Sequence, residues 1–155
     1  NESNIALQQE QKLNKAKEET SVEEPAVSKS KVTVQNEDKQ WMETLILWAY
    51  ENNIPSDKLT RDRAKLPTTT ALNLPSINLT HIPKEIGNLT ELRWLGLQDN
   101  RLKELPDDIC KLINLKSLGL NDNPNLFLTS LQKQWIDKIR KNGCHVKIDD
   151  LNYNA

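Results

Sequence analysis

Four side chains in this sequence have the chemistry for nucleophilic or metal-binding work: His81, Cys110, Cys144 and His145. Cys144-His145 would suit a thiolate beside its base, but neighbours on an extended segment project to opposite faces, so Cys144 reads as a packed thiol. As zinc ligands the four lack the close paired spacings of structural sites. His81 and Glu104 also occupy the same place in a 23-residue repeat, a solvent position. Cys110 shares its place with Gly87 and reads as a small filler. The carboxylates Asp107-Asp108 could hold a cation or share a proton, yet directly after Pro106 they fit the favourable charge at the start of a helical turn. Asn78-Leu79-Thr80 and Asn88-Leu89-Thr90 match the glycosylation sequon, but the repeat generates both. Glycine-rich phosphate loops, a Walker lysine and a Ser-His-Asp grouping are absent from the sequence. The expectation is a non-enzyme with no catalytic residue, no cofactor and no metal.

What positions the remaining side chains is a repeat. Leu92-Arg93-Trp94-Leu95-Gly96-Leu97-Gln98-Asp99-Asn100 returns 23 residues later as Leu115-Lys116-Ser117-Leu118-Gly119-Leu120-Asn121-Asp122-Asn123, both reading LxxLxLxxN. A unit of that length cannot bury its own leucines and must stack on a neighbour, as one coil of a solenoid. One step earlier, Thr69 to Ile77 keeps Leu72 and Leu74 but has Ile77 in place of the asparagine, so it is an atypical terminal unit. The connecting halves run Leu79-Thr80-His81-Ile82-Pro83-Lys84-Glu85-Ile86 and Leu102-Lys103-Glu104-Leu105-Pro106-Asp107-Asp108-Ile109. Alternation sends Leu95 and Leu97 inward and leaves Trp94, Gly96 and Gln98 on the opposite face. Asn100 and Asn123 stand where the chain turns out of the strand, able to satisfy backbone groups that a parallel ladder leaves unpaired.

On these residues the chain resembles the leucine-rich repeat family, in the short bacterial style with LPxxI in the second half of each unit. The resemblance covers residues 69–126, or to 150 with a C-terminal cap. It implies an α/β solenoid of about three 23-residue coils, with a parallel strand at LxL, a turn at the asparagine and a short 3₁₀ or helical return at LPxxI. It further implies a function in protein binding, carried by the concave strand face and not by a fixed catalytic residue. An exported bacterial protein fits this likeness better than a cytoplasmic one. Some secreted bacterial proteins of the family are ubiquitin ligases, so the alternative reading is the substrate-targeting part of a larger effector whose catalytic domain lies outside these residues.

The flanks complete the plan. Residues 1–37 are polar and read as a flexible tether. Residues 38–68 form an N-terminal cap and polar connector. Within it Trp41, Leu45, Trp48 and Ala49, with Met42 and Ile46 alongside, have helical spacing from an Asp38 cap to the stop at Ile54-Pro55. Residues 127–150 form a C-terminal cap: a helix from Ser130 to Lys141 with Leu131, Trp135, Ile136 and Ile139 on one side, a stop at Asn142-Gly143, and a last strand at Cys144 to Ile148. Residues 151–155 read as a tail. Strands are expected at 71–74, 94–97, 117–120 and 145–148, with Leu72, Leu95, Leu118 and Val146 stacked inside.

Bulk properties narrow the partners. With 21 Lys+Arg against 22 Asp+Glu the net charge is −1, so no global field favours a nucleic acid. The apolar fraction of 36% with a mean hydropathy of −0.70 argues that part of the chain is not packed. The longest apolar run, Leu45 to Tyr50, is far short of the about 20 residues that span a bilayer. A start at Asn1 is expected of a trimmed chain or of a product whose leader has been removed. The partner is expected to be a protein, with the chain itself a monomer or weak homodimer. Trp94 singles itself out, a large aromatic on the outer side of a strand with Ser117 and Gly119 across the sheet. It either packs on Ala71 or Asn73, or anchors a partner. The candidate binding residues are Trp94, Gln98, Asp99, Ser117, Asn121 and Asp122.

Overall fold

The computed structural model describes residues 39–154. The tether expected at 1–37 and the Asp38 cap lie outside the described residues. The chain divides into a unit Asn1–Gln40 and a unit Trp41–Ala155, and the second carries the repeats.

Four parallel strands form one sheet in sequence order: β1 (Ala71–Asn73), β2 (Trp94–Gly96), β3 (Ser117–Gly119) and β4 (His145–Lys147). Leu72, Leu95, Leu118 and Val146 are direct cross-strand partners. The first three are sealed from water, whereas Val146 on the edge strand is only partly buried. Each strand is one residue shorter than the periodicity suggests. The ladder nevertheless continues, because Leu74, Leu97 and Leu120 donate their N–H to the carbonyls of Gly96, Gly119 and Lys147 at 2.7, 2.8 and 2.7 Å.

Behind the sheet, the LPxxI segments return as 3₁₀ turns over Lys84–Asn88 and Asp107–Lys111, each begun by an extended proline. Their leucines and isoleucines join the strand leucines in one core. The two returns pack so closely that a Cβ placed on Gly87 would lie 2.3 Å from the Asp108 carbonyl oxygen. Any side chain there must push successive coils apart. The fold is a leucine-rich repeat solenoid.

The coils are stitched at the turns. Asn100 is buried; its Oδ1 accepts from the N–H of Ile77 (3.1 Å) and Leu79 (3.0 Å), and its Nδ2 donates to the carbonyls of Leu74 (2.9 Å), Leu97 (3.0 Å) and Gln98 (3.2 Å). Asn123 repeats the pattern one coil on, accepting from Leu102 N–H at 3.1 Å and donating to Leu97 and Leu120, both at 3.0 Å. Just before each asparagine stands a residue with positive φ, Asp99 at 54° and Asp122 at 59°, and Ser76 at 59° holds the same place in the first coil. Asp tolerates the left-handed region better than most residues because its short side chain bonds locally.

Residues 39–51 are helical and bury Leu45, Ile46, Trp48 and Ala49, with Trp41 and Met42 partly covered. The indole of Trp48 donates to the His81 carbonyl at 3.3 Å, which ties this helix to the first coil's return. The connector is less polar in its role than in its composition, since Leu59 and Leu66 are both fully buried. Arg61 holds the irregular backbone that leads to Leu59: its guanidinium donates to the carbonyls of Ile54 and Leu59 and lies over the Tyr50 ring at 4.7 Å.

At the other end the helix Ser130–Lys141 starts from Thr129 with a reciprocal capping box to Gln132, and Gly143 ends it at φ 91°. One expectation is corrected here. Leu131 is exposed, and Gln132 is the buried residue of the first turn. Its amide donates to the Leu105 carbonyl at 2.7 Å and to Asp107 Oδ1 at 3.1 Å, so a polar clamp seats the first turn on the preceding coil, while Trp135, Ile136 and Ile139 bury the rest of the helix in the core. A second correction concerns the tail. Asp150–Asn154 is helical, Asn152 is buried with its Nδ2 donating to the Leu126 carbonyl at 2.8 Å, and Tyr153 packs on the core. No helix among the described residues is long and apolar enough to cross a membrane.

Candidate functional site

The outward side chains of the strands line up in rows set by the register. Ala71, Trp94, Ser117 and His145 form one row, and Asn73, Gly96, Gly119 and Lys147 the next. Gln98 and Asn121 follow at the turn end. Together the β2–β4 members of these rows, with Asn73, enclose a groove of about 600 Å³.

Two glycines make its floor. A Cβ on Gly96 would lie 2.0 Å from Asn73 Oδ1 and 3.0 Å from Gln98 Oε1, and one on Gly119 would lie 2.7 Å from the same Gln98 oxygen. The missing side chains are therefore replaced by two amides folded down from neighbouring positions. Gln98 Oε1 is buried there without a hydrogen-bond partner. A buried acceptor in that state costs about 1–3 kcal/mol. Beside this floor stands Trp94, 50% exposed while the inward strand leucines Leu72, Leu95 and Leu118 are sealed. Its row neighbours Ala71 and Ser117 are too small to cover an indole.

Of the six residues chosen from sequence, the structure brings Trp94, Gln98, Ser117 and Asn121 together around the groove, and Asp99 and Asp122 stand apart on the turn edge. There Asp99 Oδ2 accepts from Ser76 Oγ at 2.5 Å and Asp122 Oδ2 from Asn121 Nδ2 at 2.6 Å. Those carboxylates organise the turns. Sequence reasoning missed Asn73, His145 and Lys147. The last two enter through β4, whose offset from β3 is 28 residues and not 23, so the repeat phase does not reach them. The inside-outside alternation of Cys144 to Ile148 was the available signal.

The thiols lie elsewhere. Cys144 is buried and His145 exposed on the opposite side of the strand, so they form no nucleophile–base pair. Burial pushes the Cys144 thiol pKa up against the opposing pull of Lys116 and Arg140. Cys110 is likewise raised, first by burial and then by the carboxylates of Asp107 and Asp108. Both are held as neutral thiols, which suits filling space and not attack. Among the described residues no three His, Cys, Asp or Glu side chains gather as metal ligands would.

No protein-family model and no curated protein matches the chain. Among solved structures, a leucine-rich repeat protein of Leptospira interrogans is similar to this chain at 30% identity over 57% of it, with a TM-score of 0.40. The match covers 26% of that protein, so this chain spans about a quarter of its length.

Proposed function

We propose that the chain is a non-catalytic protein-interaction module that binds its partner through the outward face of the sheet. The observation that supports this reading is Trp94: a half-exposed indole beside a floor of two glycines, on the outward face of a sheet whose inward leucines are sealed. Aromatic side chains in such settings are enriched among the residues that carry binding energy. The rigid ladder beneath holds the indole in place, which lowers the entropy cost of ordering it on binding.

The size of the face limits what it does alone. Four strands about 4.8 Å apart give a strip roughly 14 Å wide and about 17 Å tall, whose area is well under the roughly 800 Å² per partner of a standard stable interface. The partner therefore also touches the flanks, with the turn edge at Asp99 and Asp122 adjoining the groove, or binds weakly and gains strength from several tethered copies. The chain acts as a monomer or weak homodimer in this reading.

The test is capture of partners on immobilised parent, Trp94→Ala and Asp99→Asn/Asp122→Asn proteins, with thermal melts of all three. Asparagine tolerates the left-handed turns, so the double variant removes charge without breaking the coil. The expected result is weaker capture by both variants at unchanged melting temperature. Full retention of the partner by both folded variants would move the interface to the LPxxI side.

A further inference from the structure

The groove sorts its charges. Its lining contains the ammonium of Lys147, the imidazole of His145, the hydroxyl of Ser117 and the amides of Asn73, Gln98 and Asn121, and no carboxylate. The exposed cations Arg93 and Lys116 immediately precede the Trp94–Ser117 pair. The carboxylates around it lie outside the lining: Asp99 and Asp122 in the turns, Asp149 just past Lys147 with its Oδ2 engaged by the Asp122 N–H at 2.8 Å, and exposed Glu91 shortly before Trp94. In a chain of net charge −1 the lining of the groove is thus locally basic and its turn edge acidic.

We propose that the groove takes an acidic peptide segment of the partner, lying with an aliphatic or aromatic residue on Trp94 and an Asp or Glu carboxylate at Lys147. The inference rests on the binding reading above and specifies its ligand. Three features favour a peptide. A groove of about 600 Å³ falls within the roughly 300–1,000 Å³ of sites that enclose compact ligands, which suits a few residues and no more. An extended backbone supplies N–H donors, which the unpaired Gln98 oxygen lacks and could meet by lifting off the glycine floor. The acidic turn edge closes the far end against a continuous polyanion, so a nucleic-acid strand running along the sheet would meet Asp99 and Asp122. Charge of this kind sets partner choice more than raw affinity.

The test is selection of random twelve-residue peptides displayed on phage against the full chain, followed by fluorescence anisotropy of the synthesised winners. The winners are expected to carry two or more Asp or Glu beside a large apolar residue. Their affinity should fall about tenfold with Lys147→Glu, stay near parental with Lys147→Arg, and weaken between low and high salt because the contact is partly exposed. Winners without acidic enrichment, or parental affinity in a folded Lys147→Glu protein, would overturn the ligand class. If Trp94→Ala still weakens binding in that case, the outward face remains the interface. If neither variant changes affinity, both readings fall together. Tighter binding of a single-stranded oligonucleotide than of any selected peptide, lost with Lys147→Glu, would likewise overturn the peptide assignment.

Discussion

The second and third coils each end their strand turn on a buried asparagine, and the first coil puts the partly buried Ile77 in the same place. By the repeat pattern the first coil is defective, yet its turn is not short of hydrogen bonds. The N–H groups of Ile77 and Leu79 and the carbonyl of Leu74 are all satisfied by Asn100 of the following coil. Asn123 does the same for the second coil through Leu102 and Leu97. The third coil is served by a segment outside the repeats, with Asp149 accepting from Asp122 N–H and Asn152 donating to the Leu126 carbonyl. The asparagine is therefore a seam residue, needed wherever a coil has a strand before it. Among the described residues no strand precedes β1 in the sheet, so Ile77 has no seam to close and is free to be apolar.

The largest effect should come from cutting a seam. Asn100→Ala leaves the amides of Ile77 and Leu79 and the carbonyl of Leu74 without their partner, while the Leu97 carbonyl keeps Asn123; at about 1–3 kcal/mol for each group that water does not reach, the loss should be about 4 kcal/mol in urea unfolding. A loss under about 1 kcal/mol would show that water replaces the amide and that the seam is dispensable. Next comes the comparison of a middle with an edge strand. Leu95→Ala should cost about 3 kcal/mol by opening a cavity in the sealed core. Val146→Ala should cost about 1 kcal/mol, because its side chain is smaller and only partly buried. Equal costs would mean that β4 is as closed as β2. The smallest effect is the sharpest test. Ile77→Asn restores the repeat pattern and should change stability by about 1 kcal/mol or less, since the new amide meets no unpaired strand carbonyl before it. A clear gain would show a hidden seam toward the N-terminal cap.

Much of this was legible because period and burial agree. The inward set Leu72, Leu95 and Leu118 and the bounds of the helix Ser130–Lys141 follow from spacing and the Asn142-Gly143 stop. Of the binding face, the periodic part was legible: Trp94, Gln98, Ser117 and Asn121. What escaped was whatever depends on a polar side chain doing an apolar one's work. Gln132 takes the buried place that composition assigns to Leu131, because a reciprocal cap and two clamp bonds outweigh the transfer of a leucine. Leu59 and Leu66 were hidden in a charged connector, since single leucines carry no period. Asn152 was lost in a short polar stretch for the same reason. The amides of Asn73 and Gln98 lying over Gly96 and Gly119 could not be read at all, because their folding back is decided by the space the glycines leave.

The backward reach of the asparagines also sets an order in time. A chain made from its N-terminus exposes the first coil's leucines before residue 100 exists, and until then the Ile77 and Leu79 amides have only water to bond. Each turn of the spiral is thus provisional when it emerges and becomes final one repeat later. The polar segment Asp149–Asn152 acts as the stop signal of that relay. A nascent chain halted just after residue 126 would hold a settled first coil, a nearly settled second and a third still waiting for its closure.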